Sequence, residues 1–305
     1  MATAIARRIN RLRDVLQGAG PQVQAEERTV ITFSDFIKER FISAIAEVEG
    51  EAKPAPHLER WARRLQSERH TLTEAPRGHL KSTLFYGYLT WRLERMRNKS
   101  IKGIYFSSKR ELAQMHLSLC KEYIKACGIK AEDLTQAESY LRYRKGRHTF
   151  EVRPEGVLAA SRGRHTDIIL LDDVVTDPDQ PLQIQRVEKV TRIFKRKIYP
   201  MLKDEETVVH VAGTPVTEED LLAYLKKIPE FDCQSYPAIS EAGRVLWPEA
   251  YPLAMLERIK AAIGERAFGI EYLLHPARLA DSFLDPGLVG AAVGEIEEEG
   301  SLCLN

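Results

Sequence analysis

The sequence predicts an α/β protein: a mostly parallel sheet flanked by helices, with helices ahead of it and a small helical segment behind. Three observations carry this. Ile168-Ile169-Leu170-Leu171 is an unbroken apolar run closed by Asp172-Asp173, and continuous hydrophobicity marks a strand buried on both faces of a parallel sheet. Val208 to Ala212 is a second such run, ending in Gly213-Thr214-Pro215. From residue 57 to about 240, runs of this kind alternate with helical patterns, the order that βαβ crossovers require.

Taken in order, residues 3 to 17 read as a helix broken by Gly18-Ala19-Gly20-Pro21. A second helix, about 34 to 48, takes Ser34 as its N-cap and stops near Gly50, followed by the linker Lys53-Pro54-Ala55-Pro56. Residues 1–54 thus form an N-terminal helical arm that packs on the core or on a neighbouring subunit. The core, 55–250, opens with a helix and the strand Thr71-Leu72-Thr73. A loop follows, then a helical pattern from Leu84 to Leu93. Ile104-Tyr105-Phe106 is a strand ending in Ser107-Ser108, and a helix follows it. Residues 141–148 read as two short strands about a turn at Lys145-Gly146. Residues 186–197 form a helix with Val187, Val190, Ile193 and Ile198 on its apolar face. Pro248 and Pro252 introduce a helix over 252–263 and another around 265–275, a helical lid or linker spanning 251–285. Residues 286–305 carry Glu295, Glu297, Glu298 and Glu299 with no basic residue, which reads as an acidic flexible tail.

Composition narrows the function. The chain of 305 residues is long enough to bury a sizeable core. Its net charge is only +1, so any nucleic-acid binding must rest on local patches. Cys120, Cys127, Cys233 and Cys303 have no zinc-like spacing and read as reduced thiols. The arginine-bearing first fifteen residues lack the apolar core of a signal peptide, and no run is long enough to span a membrane. The expectation is a cytoplasmic enzyme.

The chemistry concentrates at strand ends. Between the strand at 71–73 and the helix from Leu84 lies Ala75-Pro76-Arg77-Gly78-His79-Leu80-Lys81-Ser82-Thr83. A phosphate needs converging backbone N–H groups, the positive end of a helix and a lysine for the outer phosphates, and this strand–loop–helix supplies all three. A standard loop of this type has glycine where Ala75 and Leu80 stand. Asp172 and Asp173 at the next strand end suit a magnesium-holding carboxylate and a water-orienting one. Thr214 places a hydroxyl where a γ-phosphate sensor would sit. With Ser107-Ser108, four polar strand ends imply one crevice at the carboxyl edge of the sheet. The fold class is therefore a P-loop NTPase of the ASCE type, with ATP and Mg²⁺ as its ligands.

These motifs, in this order, resemble the ATPase portion of the tailed-phage large terminase subunit, the motor that packages DNA into a procapsid. Pro76 to Ser82 matches the family's deviant Walker A loop, Asp172-Asp173 its Walker B acids, and Gly213 to Leu221 its coupling motif. Pro56-His57, Ser161-Arg162-Gly163-Arg164, Pro237-Ala238-Ile239, Leu246-Trp247-Pro248-Glu249 and Phe268 to Leu273 echo it further, so the likeness spans about 55 to 285. It implies that Pro76, Arg77, Gly78, His79, Leu80, Lys81, Ser82, Thr83 and Thr214 hold the nucleotide. Ser82 and Asp172 would bind Mg²⁺, the latter through water, and Asp173 would orient the attacking water. Arg77 would pair with the γ-phosphate, or with Asp173 when no nucleotide is bound. Arg162 or Arg164 would act in trans on a neighbour's nucleotide, with a salt bridge to the sheet edge as the alternative. His79 reads as a structural hydrogen-bonding residue, and the other histidines as unremarkable.

The same resemblance implies double-stranded DNA, a homo-oligomeric ring on a portal and a small terminase subunit as partners, in the cytoplasm of a bacterial host. The family's second domain, a nuclease, has no counterpart in the residues after Phe283. This points to a split subunit with a separate nuclease, a degenerate prophage product or a chain trimmed to its motor. A basic hairpin tip at Arg142, Arg144, Lys145 and Arg147 suits a phosphate backbone, or is a solvated turn. The charges on 186–197 read as a solvated helix face. Two further readings stay open: another DNA-dependent P-loop translocase or helicase-like ATPase, and a non-hydrolysing DNA-binding or assembly protein.

Overall fold

The computed structural model describes residues 31–67, 69–130, 134–135, 140–161, 163–175 and 184–277. The expected helix at 3–17, the acidic tail, Cys303 and Arg162 lie outside them. Helix α1 runs from Phe33–Phe36 through a π-turn, Ile37–Phe41, to Ile42–Glu49, and Gly50 ends it at φ 82°. Its N-cap is Thr32 rather than Ser34. A cap needs extended backbone, which Thr32 supplies at ψ 160°, and its hydroxyl accepts from Asp35 N at 3.1 Å while Ser34 is already helical.

Helix α2 (Pro56–Leu65) starts on a proline and leads to strand β1 (His70–Glu74) and helix α3 (Lys81–Glu94). Strand β2 (Ile101–Ser107) and helix α4 (Arg110–Ala126) follow. Next comes the hairpin of β3 (Leu141–Lys145) and β4 (His148–Gly156). Its turn falls on Gly146-Arg147, one residue later than expected, and β4 is long because it also pairs with β2 along its length. Strand β5 (Ile168–Asp172), helix α5 (Ile184–Ile193, continued by a π-turn over Phe194–Ile198) and strand β6 (Val208–Gly213) complete the central elements. Helix α6 (Leu221–Leu225), strand β7 (Phe231–Ser235) and helices α7 (Leu253–Ile263) and α8 (Glu265–Glu271) close the described chain. The last is shorter than the expected 265–275. Among the described residues no helix is long and apolar enough to cross a membrane.

The seven strands form one sheet in the order β3-β4-β2-β5-β6-β1-β7. Every pairing is parallel except β3 with β4. The expected apolar runs are its centre: Ile168 to Leu171 and Val208 to Ala212 are buried on both faces. Strand β6 lies between β1 and β5, with Glu74 level with Gly213 and Asp172 level with Ala212. That register brings the residues after β1, β5 and β6 to one edge, as the crevice required.

One face of the sheet, with Ile169, Leu171, Val209 and Val211, shares a core with Val187, Val190 and Ile193 of α5. The expected apolar stripe of that helix is therefore buried, and Lys189, Arg192, Lys195 and Arg196 are turned away from the core. Helix α1 packs through its aromatic residues. Phe33 stacks on Trp91 at 5.2 Å and Phe41 on Tyr123 at 5.2 Å. Gly87 in the middle of α3 makes this approach possible, because a Cβ there would lie 3.0 Å from Phe41 and 3.1 Å from Ile37.

Candidate functional site

The loop after β1 turns on two left-handed residues, Gly78 at φ 76° and Leu80 at φ 65°. Leu80 occupies a conformation that glycine adopts without strain, at a cost of about 1–2 kcal/mol for a residue with a Cβ. It is the N-cap of α3, so the first N–H groups of that helix open into the loop. At Gly78 a Cβ would come within 2.1 Å of the Tyr251 hydroxyl oxygen.

Lys81 is buried and threads back under the loop. Its Nζ donates to Ala75 O at 3.0 Å, Pro76 O at 3.1 Å and Thr214 Oγ1 at 3.0 Å. It also lies 3.7 Å from Asp173 Oδ2. Thr214 in turn donates its hydroxyl to Ala75 O at 3.0 Å and its backbone N–H to Asp173 Oδ1 at 3.1 Å. One lysine thus joins the tips of β1, β5 and β6. Arg77 is exposed and does not pair with Asp173; Lys81 holds that place, with its ammonium under the loop.

The two acids differ sharply. Asp173 is half-exposed at φ 44°, an unusual backbone for a non-glycine residue, and faces the open edge. Asp172 is buried. Its Oδ2 accepts the Tyr105 hydroxyl and lies 3.9 Å from His116 Nε2, and the Ser82 side chain favours the charged form of the carboxyl. Burial pushes this carboxyl above its usual range, against the pull of His116 and of the hydrogen bonds from Ser82 and Tyr105. Tyr86 OH meets His116 Nδ1 at 2.5 Å, extending the network away from the site.

Asp172 Oδ1 is buried without a hydrogen-bond partner, and Ser82 is the hydroxyl that acts on the same carboxyl. A hard cation such as Mg²⁺ takes oxygen ligands of this kind, so the residues fit it. Among the described residues no group of three or more His, Cys, Asp or Glu side chains makes a protein-only cage. A magnesium here would complete its shell from phosphate oxygens and water.

His79 is structural in its contacts. It is buried, its Nδ1 lies 2.9 Å from Arg77 O and its ring stacks on Tyr251 at 4.5 Å. Burial lowers its pKa to about 4. The Tyr251 hydroxyl reaches Gly78 O at 3.5 Å, and Arg77 N donates to Glu271 O at 3.3 Å. The segment around α7 and α8 therefore touches the loop at two points.

The basic residues lie apart from this site. Arg164 pairs with Glu155 on β4, the salt-bridge alternative for that side chain. The hairpin tip is at the start of β4, the opposite edge of the sheet from the loop. There Arg142 is bound by Glu151 at 2.7 Å, while Arg144, Lys145 and Arg147 are exposed. Tyr105, His116 and Tyr86 were missed by sequence reasoning. One signal was available: a tyrosine in a strand buried on both faces has no water for its hydroxyl and must find a polar neighbour.

The loop, the order of the strands and the acids at the β5 tip define an α/β P-loop fold. No protein-family model matches the chain, and no curated protein matches it. Among solved structures, the ATPase domain of the large terminase of Thermus phage P74-26 is similar at TM-score 0.54 and 15% identity. That likeness covers 77% of this chain and 98% of that one. The large terminase of bacteriophage HK97 is similar at TM-score 0.54 and 14% identity, over 78% of this chain and 55% of that one. This chain has the fold of a phage large-terminase ATPase domain.

Proposed function

We propose that the protein is the ATP-hydrolysing motor subunit of a tailed-phage large terminase, driving double-stranded DNA into a procapsid. The observation that carries this reading is the meeting of Lys81, Thr214 and Asp173 at one sheet edge, on a fold shared with two solved terminases. ATP docks its β- and γ-phosphates over the backbone of 77 to 82. Lys81 exchanges its loop carbonyls and Thr214 for phosphate oxygens. Ser82 and Asp172 are the residues that would hold Mg²⁺, which neutralises phosphate charge when bound.

Asp173 orients the attacking water. Its exposure leaves it free to do so once Lys81 turns to the phosphates. Thr214 is bonded to both Lys81 and Asp173, so loss of the γ-phosphate changes its partners and moves the chain after β6. An arginine from a neighbouring subunit, Arg162 or Arg164, completes the site in trans, for which Arg164 must release Glu155. The working assembly in this reading is a homo-oligomeric ring on a portal, loaded by a small terminase subunit.

The test is steady-state ATP hydrolysis against protein concentration, with and without duplex DNA. Turnover should rise more than linearly with concentration. It should fall by at least about 10²-fold in Lys81→Ala, the scale of removing a group that stabilises the transition state. Turnover left intact in both Lys81→Ala and Asp173→Asn would sink the assignment.

A further inference from the structure

The edge of the sheet opposite the loop gathers cations that the nucleotide chemistry does not use. Arg92 stands in the last turn of α3, and Arg95 and Arg97 follow it, exposed. The Arg95 guanidinium lies 4.6 Å from the centre of the Trp91 ring and that of Arg92 5.6 Å from the Tyr88 ring. Arg92 also donates to Tyr88 OH at 2.6 Å. None of the three has a carboxylate partner among the described residues. Glu206, the acid lining this cleft, is held by Lys99 at 2.9 Å. The cleft measures about 340 Å³. Desolvation and the neighbouring Arg92 and Arg97 charges hold the Arg95 guanidinium below its ordinary range, as expected where like charges crowd.

The hairpin tip adjoins this cluster. Lys145 Nζ donates to Met96 O at 3.3 Å, and Thr149 N donates to Ser100 Oγ at 3.0 Å. Arg144, Lys145 and Arg147 therefore continue the same basic rim, whereas Arg142 is neutralised by Glu151. Trp91 and Tyr88 are buried beneath their arginines. Neither of these rings offers its face for base stacking, which single-stranded binders depend on. What the surface offers is cationic heads without a carboxylate partner among the described residues, the groups that bind phosphates without reading sequence.

We propose that this edge binds the phosphate backbone of double-stranded DNA, through Arg95, Arg97, Arg144, Lys145 and Arg147, with Arg92 behind them. The assignment rests on the DNA-motor reading and names the surface that reading needs. Helix α3 begins at Lys81 and ends at this rim, so one element joins the nucleotide loop to the DNA surface.

The experiment is binding of a fluorescent duplex oligonucleotide between about 50 and 200 mM salt, the range over which phosphate contacts are resolved. Wild type, Arg95→Ala/Arg97→Ala and Arg142→Ala are compared, with ADP binding and thermal unfolding as controls. The slope of log K against log salt should become shallower by about two in the double variant, about one for each arginine–phosphate pair removed. Arg142→Ala should change it less. The single Arg97→Glu repeats the test at an exposed position that leaves the Trp91 contact alone. An unchanged slope in the variants, with wild type binding duplex, overturns this surface and leaves the motor reading standing. Failure of wild type to bind duplex while it binds nucleotide overturns both. Tighter binding of a single strand through the same arginines overturns the duplex assignment.

Discussion

Asp173 holds a left-handed backbone at the tip of a central strand, with its side chain between Lys81 and the Thr214 amide. Strain of this kind persists where the surroundings over-determine it, and it aims the carboxylate at the open edge. Asp173→Asn keeps the shape and removes the charge. We expect it to bind nucleotide near wild-type affinity and to lose turnover by at least about 10²-fold, read by paired binding and hydrolysis assays. His57 and His79 give a second prediction at this scale. Burial holds the His57 pKa at about 3 and the His79 pKa at about 4. The unfolded chain takes up these protons below about 6.5 and the folded chain refuses them, so stability is complete above that pH and is lost below it. At pH 5.5 each histidine should cost on the order of 1 kcal/mol. The melting temperature should fall between pH 7.5 and 5, less steeply in His57→Gln; a flat profile would contradict buried neutral imidazoles.

Helix α3 shows how far an element was legible. Leu84 to Leu93 read as helical because apolar residues recur through it, and the structure extends that helix back to Lys81. Its neighbours were less visible. Thr32 rather than Ser34 caps α1, since the choice depends on backbone angles and both residues are good caps. The hairpin was read correctly as two strands about a turn, but its place at the far sheet edge is set by β2 pairing, a long-range fact. Gly87 was silent in the sequence, and its role appears only with α1 in contact. Gly87→Ala should gain up to about 1 kcal/mol of helix propensity and lose more to crowding against the buried Phe41 and Ile37. A net destabilisation of about 1 kcal/mol is expected, measured by denaturant unfolding. A stabilised variant would mean that α1 yields easily.

For the whole molecule, the sheet and its carboxyl-edge site were legible because strand tips carry their chemistry next to their hydrophobic runs. Lys81, Asp173 and Thr214 converge as motif order implied. The environment of Asp172 was not legible, because Tyr105 and His116 meet it from other elements. Nor was the arginine rim, which joins the end of one helix to a hairpin about fifty residues away. At this scale we expect hydrolysis to be stimulated by duplex DNA in wild type and much less in Arg95→Ala/Arg97→Ala, with unstimulated turnover alike in both.

All of α3 is buried except Ser82, Arg92 and Glu94. Across its 14 residues it spans about 21 Å, set in a core too tightly packed for one end to move alone. It is a strut cast into its housing. In the proposed motor, the stroke would belong to the whole body turning against its neighbour, with α3 as the lever arm. A rotation of about 10° would carry the far end of a 21 Å arm by about 3.7 Å, close to the roughly 3.4 Å spacing along each DNA strand. Labels at the two ends of α3 should therefore keep their separation when nucleotide binds, while in the proposed ring the distances between subunits change.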